Sequence, residues 1–214
     1  MLRAYFNQRA AVWDETVSER DTAKLRQMAE RLNIAPGSIV LDVGTGTGVF
    51  IPFLLSEVGE EGRIVALDFA EKMLGITRAK GFNGSIDYLC ADVTNIPLGD
   101  GIFDIVVCYS SFPHFQDKLV ALAEINRVIK TGGRLLICHT SSRNEINGIH
   151  HQIPVVANDI IPDKDQMHIM LAKTGFTDIE IDDNSESYFC SARKSSLGQF
   201  EGLRLKFKAD VQSF

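Results

Sequence analysis

Apolar positions recur at helical spacing early in the chain and at strand spacing soon after. Leu25, Met28, Ala29 and Leu32 mark one face of a helix within residues 5–33, and Pro36-Gly37 ends it. From there short apolar runs alternate with amphipathic ones. "SIVLDV", "GRIVALD", "IDYLCAD", "FDIVVCYS" and "GGRLLICHT" predict five strands. "VFIPFLLSEV", "AEKMLGITRAK" and "KLVALAEINRVIK" predict helices between them. Strands that alternate with helices imply an α/β fold, a mostly parallel sheet with helices on both faces. Residues 141–163 break the rhythm. They are long for a connection and hold two prolines, so they predict a cap over one end of the sheet. "DKDQMHIMLAKTGF" predicts a last helix ending at Gly175, and "TDIEIDD" with "SESYFCSAR" a closing antiparallel hairpin. This reading gives one domain over residues 1–193 and a C-terminal extension, 194–214, of unassigned role.

Composition changes this picture little. A chain of 214 residues, 45% hydrophobic and 23% charged, suits one globular domain with a real core. A net charge of −6 argues against a nucleic-acid surface. No run approaches the roughly 20 apolar residues of a membrane span, and the N-terminus lacks the apolar core of a signal peptide. The four cysteines, Cys90, Cys108, Cys138 and Cys190, show no paired spacing, which predicts buried free thiols and a cytoplasmic location.

The candidate chemistry sits where the first strand meets its helix. In "LDVGTGTGVF" glycines stand at positions 44, 46 and 48. Glycine allows positive φ and close backbone approach, which suits a nucleotide cofactor. The dinucleotide fingerprint is imperfect, because Val49 fills its third glycine slot, and no Lys-Ser/Thr follows as a phosphate loop needs. Asp42 precedes the loop, and Asp68 and Asp92 end the second and third strands. An acid about 20 residues past the loop can accept from a ribose diol. Three acids around a glycine loop favour a cationic nucleoside over a pyrophosphate.

"VLDVGTGTG", "VALDFAEKML", "CADVTNIPLGDGIFDIVVC" and "EINRVIKTGGRLLI", in that order, resemble the class I S-adenosylmethionine-dependent methyltransferases, in particular the ubiquinone/menaquinone C-methyltransferase-like group. The resemblance is strong over residues 35–140. It implies a Rossmann-like three-layer sandwich with a seven-stranded sheet, mostly parallel with an antiparallel C-terminal hairpin. The cofactor it implies is S-adenosyl-L-methionine, with S-adenosyl-L-homocysteine as product, and the partner a small-molecule methyl acceptor. By the same resemblance Gly44, Gly46 and Gly48 line the methionine and ribose portion and Asp68 holds the ribose diol. Phe69 and Met73 flank the adenine, Asp92 binds its amino group with Val93 beside it, and Tyr109 and Ser110 face the sulfonium and acceptor.

The acceptor itself is less legible. "CYSSFPHFQD" follows the fourth strand, where enzymes that methylate nucleobase amines resemble one another in an Asn/Asp-Pro-Pro-aromatic motif absent here. No Pro-Cys nucleophile of a cytosine enzyme occurs either. His114, His139, His150 and His151, with Tyr109, are the candidates for acid/base work, since an imidazole titrates near neutrality. No metal is expected, and His150-His151 is the alternative to that expectation. Tyr5, Phe6 and Trp13 are the candidates to cover the cofactor from the N-terminal helix. The competing readings are a non-catalytic cofactor- or metal-binding protein on the same fold and a nicotinamide-dependent oxidoreductase. The assembly is expected to be a monomer or homodimer, without nucleic acid or membrane.

Overall fold

The computed structural model describes residues 1–16 and 21–196. Its elements run in chain order as α1 (Leu2–Thr16), α2 (Thr22–Leu32), β1 (Ile39–Val43), α3 (Ile51–Val58), β2 (Arg63–Asp68), α4 (Glu71–Ala79) and β3 (Ile86–Cys90). They continue as β4 (Phe103–Tyr109), α5 (Lys118–Val128), β5 (Ile129–His139), α6 (Arg143–His151), α7 (Lys164–Lys173), β6 (Phe176–Asp183) and β7 (Tyr188–Lys194).

The seven strands form one sheet in the order β3-β2-β1-β4-β5-β7-β6. The first five run parallel, and β7 pairs antiparallel with both β5 and β6. The centre of the sheet is buried on both faces, as a parallel sheet between helices requires. Alternate residues of β1 and β4 divide between two cores. Leu41, Val43, Val106 and Cys108 face α5 and α7, while Val40, Ile105 and Val107 face α2 and α3. This is the Rossmann-like three-layer sandwich.

Local chemistry sets the helix starts. Asp21 accepts from the amides of Ala23 and Lys24 at the head of α2, and Asn33 closes that helix in the left-handed conformation. Asp117, Ser142 and Asp163 cap α5, α6 and α7 in the same way. At the other end of the strands, Asp104 of β4 takes the Ile39 amide at 2.9 Å and the Lys130 ammonium at 2.7 Å, so it fastens β1 to its neighbours away from any ligand.

Several expectations change. Where one helix is expected in residues 5–33, the described residues hold parts of two, α1 to Thr16 and α2 from Thr22. β5 starts at Ile129, earlier than the glycines suggest, because Gly132 and Gly133 lie inside the strand. The 141–163 cap carries a helix, α6, which Ser142 and Glu145 start. Cys90 is exposed at the tip of the edge strand β3, while the other three cysteines are buried free thiols. Of the expected C-terminal extension, β7 claims Lys194, and residues 197–214 lie outside the described residues.

Candidate functional site

Strand order reverses between β1 and β4, because β2 and β3 extend the sheet one way and β5 the other. A crevice must open there, outside the carboxyl ends of the strands. It is a cavity of about 530 Å³, inside the range of roughly 300–1,000 Å³ usual for small-molecule sites.

The glycine loop forms its floor, and the three glycines have three different reasons to exist. A Cβ on Gly44 would lie 2.4 Å from the Ser111 Cβ, so this glycine lets the loop after β4 pack against the loop after β1. Ser111 completes that contact by donating to the Val43 carbonyl at 2.6 Å. A Cβ on Gly48 would lie 2.7 Å from Thr77 Cγ2 and strike the Phe82 ring, so Gly48 admits α4 and does not line the cavity. A Cβ on Gly46, at φ +57°, would meet no atom within 4 Å, and Gly46 lines the cavity.

The acids also divide. Asp68 lines the cavity, and its two oxygens accept from the amides of Gly46 and Ala70, each at 2.8 Å. It thereby ties the glycine loop to the start of α4. Burial holds its carboxyl up at about 6 against these two bonds. Asp42 does not line the cavity; it lies beneath the loop, 2% exposed, and burial raises it to about 7. Asp92 is exposed at the rim and forms a turn by accepting from the Thr94 amide and hydroxyl. Val93 beside it is buried and lines the wall, as do Phe69 and Met73.

α1 closes one side. Phe6 is the hinge of an aromatic cluster, edge-on to Trp13 at 5.4 Å, Phe69 at 5.8 Å and the His114 ring at 5.1 Å. Asp14 near the end of α1 accepts from Thr47 of the glycine loop and pairs with Lys80 at 2.7 Å. The helix is thus held to the rim at two points.

The far wall holds the histidines. Tyr109 stacks on Phe50 at 4.4 Å, and its hydroxyl bonds the Thr140 hydroxyl at 3.0 Å. Ser110 adopts φ +51°, an uncommon backbone state that turns the chain away from β4 at the cavity. His114 and His150 approach with ring centroids 4.8 Å apart. His139 is 2% exposed, and burial, reinforced by the other two imidazoles, pushes it down to about 3. His151, the fourth candidate, is exposed and does not line the cavity. The pair His150-His151 is therefore split, and among the described residues no group of three or more His, Cys, Asp or Glu is placed to hold a metal.

Sequence reasoning missed Asp159, which takes His114 Nδ1 at 2.9 Å, and the Asp14–Thr47 tie. Neither has a local signal. Asp159 lies 45 residues from His114 in an irregular stretch, and only the docking of α6 brings the two together.

Residues 41–137 match the sequence model of a family described as a methyltransferase domain. The ubiquinone/menaquinone biosynthesis C-methyltransferase UbiE of Teredinibacter turnerae is 38% identical over 116 residues, 52% of this chain and 47% of that protein. The chain thus spans about half the length of the curated relatives it matches. A SAM-dependent methyltransferase from Aquifex aeolicus superposes with a TM-score of 0.67 at 23% identity, over 81% of this chain and 94% of that one. Phosphoethanolamine N-methyltransferase 2 of Haemonchus contortus, solved with S-adenosyl-L-methionine, gives 0.65 at 18% identity, over 82% of this chain and 53% of that one.

Proposed function

We propose, from the match of residues 41–137 to a methyltransferase-domain model, that this chain is a class I methyltransferase that transfers the methyl group of S-adenosyl-L-methionine to a small-molecule acceptor. The observation that carries the reading is Gly46. Its open face, beside a buried acid at the switch point of the sheet, leaves room for a ligand against bare backbone. In the bound state the Asp68 carboxylate, already fixed by two amides, has lone pairs left for the ribose hydroxyls. Phe69, Met73 and Val93 offer apolar faces to the adenine, and Asp92 accepts from its amino group. Tyr109 and Ser110 sit beside the sulfur and the acceptor.

The cofactor supplies the activated methyl group, so the chain's task is alignment and exclusion of water. The α1 aromatics roof the cofactor half, and α6 with the segment to residue 159 encloses the acceptor half. Neutral imidazoles suit this position better than charged ones, because a sulfonium cation repels a second cation.

Isothermal titration with S-adenosyl-L-homocysteine tests the reading. The wild type should bind, and Asp68→Asn, which keeps the shape but loses the charge, should bind at least about tenfold more weakly, the worth of one charge-assisted hydrogen bond. Absence of heat with the wild type at high ligand concentration would defeat the proposal.

A further inference from the structure

The acceptor half of the cavity is apolar. Phe115, Ile146, Ile149, Ile153 and Val156 line it, together with the face of Phe6. Among the described lining residues Arg9 is the only Lys or Arg, and its guanidinium lies over the Tyr5 ring at 5.3 Å. A phosphate or carboxylate on the acceptor would find no dedicated cation there. The polar side chains on this side are Gln116, Asp117, Ser141 and imidazoles, and one residue orients two of the imidazoles.

Asp159 is that residue. Its side chain takes His114 Nδ1 at 2.9 Å, and its main-chain carbonyl takes His150 Nδ1. A carbonyl oxygen only accepts, so His150 carries its proton on Nδ1. A carboxylate likewise assigns the Nδ1 proton of His114. In the neutral ring each Nε2 is then a lone pair, and both rings border the cavity. Gln116 Nε2 reaches the other Asp159 oxygen at 3.4 Å, which keeps the carboxylate facing His114. Asp159 and His114 are 11% and 16% exposed in their side chains, so the pair is largely withdrawn from water. The other titratable groups that face His114 are Asp68, His139 and His150, while Lys118 acts on Asp159 and ties down the carbonyls of Pro113 and Phe115.

We infer that His114, oriented by Asp159, is the general base for an uncharged acceptor built on an apolar ring with one ionisable hydroxyl, a phenol or enol. The inference rests on the methyl-transfer reading above. The hydroxyl proton passes to His114 Nε2. The oxygen's electron pair forms the bond to the methyl carbon, and the carbon–sulfur bond breaks with its pair returning to sulfur. The sulfonium becomes a neutral thioether, and the proton leaves His114 for solvent after the products depart. Asp159 is a positioning residue. It touches no reacting atom, but it fixes the tautomer and stabilises the imidazolium as the proton arrives. His150, whose proton is committed to the Asp159 carbonyl, offers the acceptor oxygen no donor and packs beside His114 as a neighbouring ring.

The probe is 4-nitrophenol, whose ionised form has its own visible absorption, titrated into protein saturated with S-adenosyl-L-homocysteine. At a pH where the free probe is mostly neutral, the bound probe should show the phenolate band. His114→Gln should bind the homocysteine product normally and lose the band. Asp159→Asn should keep some band, with its midpoint moved up by about one pH unit, a tenfold change in the proton equilibrium. His150→Gln should keep the band. A wild type that binds the probe without ionising it, or does not bind it at all, overturns the inference. So does a His114→Gln variant that keeps the band. The wild-type spectrum carries the test alone if a variant does not fold. Loss of homocysteine-product binding by the wild type would instead strike the methyl-transfer reading, so the two failures are distinguishable.

Discussion

The three loop glycines give the sharpest test of how this site is built, because alanine at each should fail differently. Gly46 is at φ +57° with open space where a Cβ would go. Gly46→Ala therefore incurs only the left-handed backbone cost, about 1–2 kcal/mol. At about 2–4 °C per kcal/mol for a domain of this size, the melting temperature should fall by about 2–8 °C. Gly44 is at φ +72°, and its Cβ would stand 2.4 Å from the Ser111 Cβ, which the bond to Val43 holds in place. Gly44→Ala adds overpacking to the same backbone cost, about 2–5 kcal/mol together, or about 4–20 °C. Binding should rank the other way in relation to stability. The Gly46 methyl would fill the space the ligand needs, so S-adenosyl-L-homocysteine should bind at least about tenfold more weakly, 1.4 kcal/mol or more. Thermal denaturation and titration calorimetry on the same two samples decide the matter. If Gly46→Ala binds like the wild type, or melts as early as Gly44→Ala, the assignment of open space to Gly46 and of tight packing to Gly44, which also borders the cavity, is wrong.

The buried acids predict proton traffic. Asp68 and Asp42 are raised to about 6 and about 7, so the folded apoprotein holds protons that the unfolded chain has shed, and stability should fall as pH rises through the ordinary carboxylate range to about 7; Asp42→Asn should flatten that slope in urea titrations. A bound sulfonium favours the ionised acids, so S-adenosyl-L-methionine near pH 6 should release more protons than S-adenosyl-L-homocysteine, read as a buffer-dependent binding heat; equal release from both would refute the linkage. Arg127 joins α5 to the loop before β4 through the carbonyls of Ile96 and Leu98 and the carboxylates of Asp100 and Glu124. Arg127→Ala leaves Glu124, 16% exposed, with the Ile96 amide but without its cation, and should cost about 1–3 kcal/mol in thermal unfolding; Arg127→Lys should recover only part, since it lacks the planar fork.

The sheet was legible because its central strands β1 and β4 are short runs with both faces buried, and the turn chemistry between runs is local. Helix starts were legible for the same reason: Asp117 and Asp163 act on amides three residues away. The glycine loop was legible as a site but not in its parts. Spacing alone cannot distinguish a glycine that admits Ser111 from one that admits α4 or leaves a face open, since those neighbours are 67 and 29 residues away or absent. Asp42 shows the same limit. As a strand-end acid it reads like a ligand contact, yet its place at an inward position of β1 buries it below the loop. The histidines were found by residue type. Their separation into three rings that line the cavity, the buried His139 among them, and an exposed one depends on the docking of α6, which no local pattern encodes.

The electrostatic division of the cavity follows from which segments supply each half. The parallel core supplies anionic groups at strand ends, Asp68 and Asp92, and with Asp42 behind them this side attracts a cation. The other side supplies imidazoles from the ends of β4 and β5 and from the cap: Asp159 is committed to His114, and burial keeps His139 and His150 from gaining charge. A positively charged donor and an uncharged acceptor can therefore occupy neighbouring volumes without either being drawn into the other's place. The boundary between them is the loop after β4, where Ser110 takes its strained turn and Ser111 locks against Gly44. That contact joins the floor of one half to the wall of the other, so displacing it should disturb both ligands at once, whereas Asp159 and Gly46 each act on one.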